Sequence, residues 1–349
     1  MADIYGLRTR DASNRITLDT SVTPIRSLKM MQVTGNDTFD QYISIPEIQS
    51  SSFVVVDTLE DLGRNTWSPP AFWTAGQLQL RQPRTKTWQV MILSKGGEPF
   101  SATGSYGIRT TNNGSATQID PINKVLSIRY AGKFTFKIGG GDQEVEGDDR
   151  LVFPAPITTY ERPLVFINGD DYVMLGEFRF AGGPGNWTGF RIADYRSEDH
   201  GAAFNQPMRI SWFCATYIND QPAAGEYGAS VRNAANERIF ASQRNIVTLN
   251  SQPTANSFSN GGSPIERPGY YATSQQMPWT GSYSDYFLAN ALLTSTNIGQ
   301  TTQPLRVNFG GFLPGNRQVL QMYCESTSGI NPLLANGRTT FAARPMRAL

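Results

Sequence analysis

The feature that most constrains this chain is the spacing of its apolar residues, which recur at every second position in short runs. Thr87-Trp-Gln-Val-Met-Ile-Leu93, Val125-Leu-Ser-Ile-Arg-Tyr130, Lys133-Phe-Thr-Phe-Lys-Ile138, Tyr172–Phe180, Arg209-Ile-Ser-Trp-Phe213 and Gln318-Val-Leu-Gln-Met-Tyr323 are examples. Each is rich in β-branched or aromatic residues and bounded by Gly, Asn, Asp or Pro, the pattern of half-buried strands separated by turns. Tyr130-Ala-Gly-Lys133, between two such runs, predicts a hairpin turn. Helical periodicity is scarce. Ser284-Asp-Tyr-Phe-Leu-Ala-Asn-Ala-Leu-Leu293 fits one short helix capped by Ser284, and equally a buried strand. The expected fold is therefore all-β. It would comprise two β-sandwich-like modules with long Gly/Pro/Asn-rich loops and at most one or two short helices.

Composition narrows the function. The 349 residues carry 30 basic and 29 acidic side chains, a net charge of +1, so no global field favours nucleic acid or an anionic membrane surface. No apolar stretch is long enough to span a bilayer as a helix, and Met1-Ala-Asp-Ile-Tyr-Gly resembles no secretory leader, so synthesis in a cytosol is expected. The single histidine, His200, excludes a His-rich metal cage or HExxH site and leaves one residue through which any triad would run. Neither metal nor cofactor is expected. The cysteines, Cys214 and Cys324, sit in apolar runs and read as two buried free thiols.

An internal repeat divides the chain. Tyr5-Gly-Leu-Arg-Thr-Arg-Asp-Ala-Ser-Asn-Arg-Ile16 recurs as Tyr227-Gly-Ala-Ser-Val-Arg-Asn-Ala-Ala-Asn-Glu-Arg-Ile239, with Glu237 inserted. Each copy reads as a β-hairpin whose turn begins at Asp11 or Asn233 and places Asn14 or Asn236 in the left-handed conformation. Residues 1–200 would form an N-terminal β-module and 201–349 a C-terminal β-module. Positions 251–283 are the most irregular stretch.

Acidic clusters at Asp148-Asp149, Asp170-Asp171 and Glu198-Asp199-His200 raise the idea of a glycoside hydrolase, which needs two carboxyls facing one cleft. Adjacent strand residues face opposite ways, so neither Asp-Asp doublet is itself such a pair, and both read as turns. Arg outnumbers Lys, which suits protein–protein contacts. The candidate interface or receptor residues are loop aromatics: Trp67, Phe72 and Trp73, then Tyr270, Tyr271, Trp279, Tyr283 and Tyr286. Their alternative role is to plug the ends of β-sandwiches.

The opening Tyr5-Gly-Leu…Asp-Ala-Ser-Asn-Arg-Ile-Thr-Leu-Asp19 resembles the start of a group of tailed-bacteriophage virion proteins. Those often begin Tyr-Gly-Leu, then Asp-Ala-Ser-Gly, and carry a second Tyr-Gly copy in their C-terminal half. Here Asn14 and Asn236 stand where the group usually has Gly. The resemblance covers some 30 residues. It implies a non-enzymatic component of a tail tip, baseplate or fibre, synthesised in the host cytoplasm, with residues 1–200 docking on the tail, 201–349 making subunit or host contact, and other virion tail proteins as partners. It carries over no catalytic residue. A homo-oligomer, three copies as a first guess, and contact with a host-surface glycan are expectations alongside it. The alternatives are a depolymerase of surface polysaccharide and a carbohydrate-binding adhesin.

Overall fold

The computed structural model describes residues 8–10, 14, 16–19, 21–59, 68–96, 108–112, 115–119, 122–136, 150–170, 172–194, 207–217, 229–255, 259–260, 271–294, 307–326 and 337–349. As expected, the fold is all-β: every named strand pairing is antiparallel, and one helical turn, Ala289–Leu292, is present among the described residues. None of their helices is long and apolar enough to cross a membrane.

Among the described residues the four larger sheets lie in succession, alongside three two-stranded hairpins. The outer seven-stranded sheet runs, in spatial order, Arg150–Ile157, Asn186–Asp194, Val173–Gly183, Val307–Leu313, Asn316–Ser326, Tyr271–Pro278 and Ser259–Asn260. The inner seven-stranded sheet runs Ser127–Thr135, Arg209–Thr216, Leu164–Gly169, Tyr286–Leu288, Ala342–Pro345, Val247–Leu249 and Thr23–Pro24. An inner three-stranded sheet contains Arg26–Thr34, Thr87–Ser94 and Ser52–Thr58, and an outer one Asp40–Ser44, Gln77–Arg81 and Ala71–Thr74.

Alternation of side chains connects these layers. On Leu164–Gly169, Val165 and Ile167 join Trp187, Phe190 and Leu320 in a core against the outer seven-stranded sheet. The intervening Leu164 and Phe166 join Phe53, Val55, Met91 and Leu93 of the inner three-stranded sheet. From that sheet's opposite face, Val54, Val56, Val90 and Ile92 meet Leu78 and Leu80 of the outermost sheet. Ser52–Thr58, Thr87–Ser94 and Leu164–Gly169 are thus covered on both faces, and the first and last of these are buried throughout. A strand with no solvent side must be apolar at nearly every position, which explains Phe53-Val-Val-Val56 and Val90-Met-Ile-Leu93.

A buried polar cluster joins these layers. Asp57, fully buried on the inner three-stranded sheet, forms an ion pair with Arg162 (Nη1 to Oδ1, 3.2 Å). Asn290 Nδ2, on the helical turn, donates to Asp57 Oδ2 at 2.8 Å and to the Pro163 carbonyl at 3.0 Å. The Asn290 Oδ1 in turn accepts from the Val165 amide at 2.8 Å, and the Arg162 amide donates to Gln89 Oε1 at 3.0 Å. The Arg162 guanidinium lies over the rings of Phe180 and Trp187, 5.3 and 5.4 Å from their centroids. One cluster therefore reaches three sheets. Burial pushes the Asp57 carboxyl up from its ordinary value, opposed by the Arg162 charge and by hydrogen bonds from Asn290 and the Thr58 amide.

The two repeat copies fold alike. Arg8–Arg10 pairs with Ile16–Asp19, and Ser230–Arg232 with Arg238–Ala241, each with a register shift just before or at the turn arginine. Asn14 (φ 61°) and Asn236 (φ 63°) both occupy the left-handed region, as the sequence predicts. Arg10 Nη1 donates to the Asn14 carbonyl at 2.7 Å, and Arg232 Nη1 to the Asn236 carbonyl at 2.6 Å.

Other expectations need correction. The division at residue 200 coincides with no boundary between sheets, because both seven-stranded sheets draw strands from either side of it. Tyr130-Ala-Gly-Lys133 is no turn: Ser127–Thr135 is one continuous strand, and Gly132 lies where a Cβ would crowd the Trp212 ring, 3.2 Å away. Of the two readings of Ser284–Leu293, the buried strand holds for Tyr286–Leu288, while the helical turn is confined to Ala289–Leu292 and Ser284 does not cap it. The irregular stretch 251–283 contains Tyr271–Pro278, an eight-residue strand paired with Asn316–Ser326. Cys214 is a buried free thiol, and burial pushes its pKa well up; the side chain of Cys324 lies outside the described residues.

Asp57→Asn leaves the Arg162 charge without its carboxylate and is expected to cost about 3–5 kcal/mol in urea unfolding. Asp57→Asn combined with Arg162→Met should recover much of that loss, whereas additive losses would show that the pair is not coupled. At the second hairpin, Asn236→Ala should lower amide protection of Ser230–Ala241 by about 1 kcal/mol, while Asn236→Gly leaves it nearly unchanged.

Candidate functional site

The structure distributes the predicted aromatics among several environments. Trp67 and Tyr270 lie outside the described residues, as does the side chain of Tyr271, whose backbone pairs with Ser326. Phe72 and Trp73 are adjacent on an edge strand of the outermost sheet and alternate in direction. Phe72 lies beneath the Arg81 guanidinium (5.1 Å), while Trp73 packs against the apolar clusters between sheets. Trp279 is buried near Phe312 in the core between the seven-stranded sheets. Among the described residues, Tyr283 and Tyr286 line a common groove.

That groove, about 620 Å³, lies beside the inner seven-stranded sheet. Its floor follows from strand register. Lys133 pairs with Ser211, and Ser211 with Asn168, so the three side chains form a row across three strands on one face. Tyr286, from the next strand, packs edge-on against Phe213 at 4.9 Å. Burial pushes its hydroxyl pKa up, opposed by a hydrogen bond with Ser211.

Tyr283 is 65% exposed, yet the surrounding bonds fix its position. Asn168 Nδ2 donates to its carbonyl at 2.8 Å, and Arg317 lies 3.9 Å from its ring centroid. Arg317 comes from the outer seven-stranded sheet and is itself held. Its Nη1 donates to the carbonyls of Gly169 and Asp170, and its Nη2 to Asn168 Oδ1 and the Ser282 carbonyl. This guanidinium joins the two large sheets and forms the backing of an exposed ring.

On another side, buried Asp285 receives Arg344 (Nε 2.9 Å, Nη2 2.8 Å) and Asn250 Nδ2 (2.8 Å). Arg347 is fixed through its amide, which donates to Asn245 Oδ1 at 2.9 Å, and its Nη2, which donates to the Gln243 carbonyl at 2.6 Å. Exposed Lys133 and Asp170 complete the charged lining.

The arrangement offers a ring for stacking, hydroxyls, an amide and charges of both signs. Groups of this kind can engage a ligand through non-covalent contacts. Asp170 is the one side-chain carboxylate lining the groove among the described residues. Asp148, Asp149, Asp171 and the Glu198-Asp199-His200 cluster lie outside those residues. No three His, Cys, Asp or Glu side chains gather into a metal-binding cluster among the described residues.

Sequence reasoning missed Lys133, Arg317, Arg344 and Arg347, which come from three separate stretches of the chain. The excess of Arg over Lys was the available signal. Arg26, Arg162, Arg317 and Arg338 are buried within this chain, where a planar fork with several donors can satisfy backbone carbonyls.

No family model, curated protein or solved structure matches this chain.

Asp285→Ala removes the acceptor of Arg344 and Asn250 and is expected to lower stability by about 2 kcal/mol in chemical unfolding. Arg344→Ala, which leaves the buried carboxylate with only Asn250 of those two donors, should cost at least as much.

Proposed function

We propose that the chain is a non-enzymatic structural component of a bacteriophage tail, at the tip, baseplate or fibre. It assembles through protein–protein contacts as a homo-oligomer, with three copies as the starting hypothesis, and contributes to attachment at the host surface. The observation that carries this reading is the pair of matched hairpins. Tyr5–Asp19 and Tyr227–Ser242 bear the sequence resemblance to tailed-phage virion proteins. Their described residues share a left-handed Asn, a bulged pairing and an Arg-to-Asn carbonyl bond. Two hairpins that each expose a left-handed Asn suit repeated docking on neighbouring chains. The layered all-β fold agrees with a scaffold role without being specific to it.

The test is mass spectrometry of purified virions together with sedimentation of the isolated chain. The reading predicts the protein in the tail fraction and an oligomer in solution. A monomer that never co-sediments with virions would contradict it. Release of oligosaccharide from host capsule or lipopolysaccharide would favour a depolymerase instead.

A further inference from the structure

We infer that the groove lined by Tyr283 is a saccharide-binding site. Its position beside the inner sheet is independent of the hairpins on which the tail reading stands, so either proposal can fail alone.

The first argument is the state of Tyr283. A large ring with 65% of its surface exposed ordinarily gives up rotamer freedom when it grips a ligand. Here that cost is reduced beforehand: Asn168 anchors the Tyr283 carbonyl and the Arg317 guanidinium backs the ring. The anchor is deep, because Arg317 is 8% exposed and is tied to three carbonyls and the Asn168 amide oxygen. A pinned, exposed aromatic face is a platform for a flat, partly apolar partner, and the C–H face of a pyranose is one.

The second argument is the polar complement. Sugar hydroxyls both donate and accept, so a matching site needs both kinds of group. Lys133 donates, Asp170 accepts, and Ser284 and Ser211 do either, all on the lining that includes Tyr283. A site for a simple anion would be expected to present mainly donors, whereas this lining also presents the Asp170 carboxylate. Arg344 is already engaged by Asp285, which leaves a lining of mixed rather than single charge. The volume of about 620 Å³ falls within the range of small-ligand pockets and suits a short oligosaccharide.

The test is binding of the full chain to an array of neutral, uronate-containing and phosphate-bearing oligosaccharides, with calorimetry on those retained. The inference predicts retention of at least one saccharide class. Tyr283→Ala should weaken binding about tenfold, and Tyr283→Phe, which keeps the ring, should stay close to the parent. Asp170→Asn and Lys133→Ala should each reduce affinity. Unchanged thermal unfolding of these exposed-site variants separates lost binding from lost fold. Binding accompanied by shortening of the sugar would support this site while overturning the non-enzymatic reading. Retention of no saccharide, or equal affinity in parent and Tyr283→Ala, would overturn the inference.

Discussion

Burial of strands on both faces is the constraint on which the rest of this structure depends. A sheet with two covered faces has no side on which to place a polar side chain cheaply. Ser52–Thr58, Thr87–Ser94 and Leu164–Gly169 therefore direct apolar side chains both ways, and each links two cores rather than lining one. Asp57 and Arg162 are exceptions that the layers accommodate only because each is neutralised and hydrogen-bonded by the other's neighbours. Replacing such a cluster with apolar groups can cost little, whereas breaking half of it is expensive. Its specific effect is registration. Asn290 can satisfy Asp57, Pro163 and Val165 together only when the helical turn, the inner large sheet and the inner small sheet sit in one arrangement.

Much of the local structure was legible in the sequence. Period-two spacing marked strands such as Thr87–Ser94, Val173–Gly183, Arg209–Thr216 and Asn316–Ser326 but passed over Ser52–Thr58 and Asn186–Asp194, and the chemistry of Asn explained the left-handed turns at Asn14 and Asn236. Partner choice was not legible. The period gives each strand two faces but does not say what covers them, so a division at residue 200 looked reasonable when the sheets in fact interleave both halves. Tyr271–Pro278 escaped notice because Thr273-Ser-Gln-Gln276 carries little apolar signal; its strand state comes from pairing with Asn316–Ser326. Gly132 was misleading for a related reason. It reads locally as a turn residue, yet its small size serves Trp212 on the neighbouring strand.

The site followed the same rule. Tyr283 and Tyr286 stood out as aromatics among polar and small neighbours, and they do meet in one groove. The residues that give that groove its chemistry come from distant strands: Lys133 from an edge, Arg317 from the opposite sheet, Arg344 from the last strand. No spacing in the sequence announces them. Trp279 was equally prominent in the sequence and turned out to be core, because prominence alone does not distinguish a ring that faces solvent from one that fills the space between sheets.

The central claim is that the stacked sheets form one cooperative body rather than two modules divided at residue 200. Native-state amide hydrogen exchange under increasing denaturant tests it directly. The account predicts that amides of Val54–Val56, Val90–Ile92, Val165–Ile167 and Phe213–Ala215 exchange with one common free energy equal to that of global unfolding. Earlier, independent exchange of the strands on one side of residue 200 would contradict it.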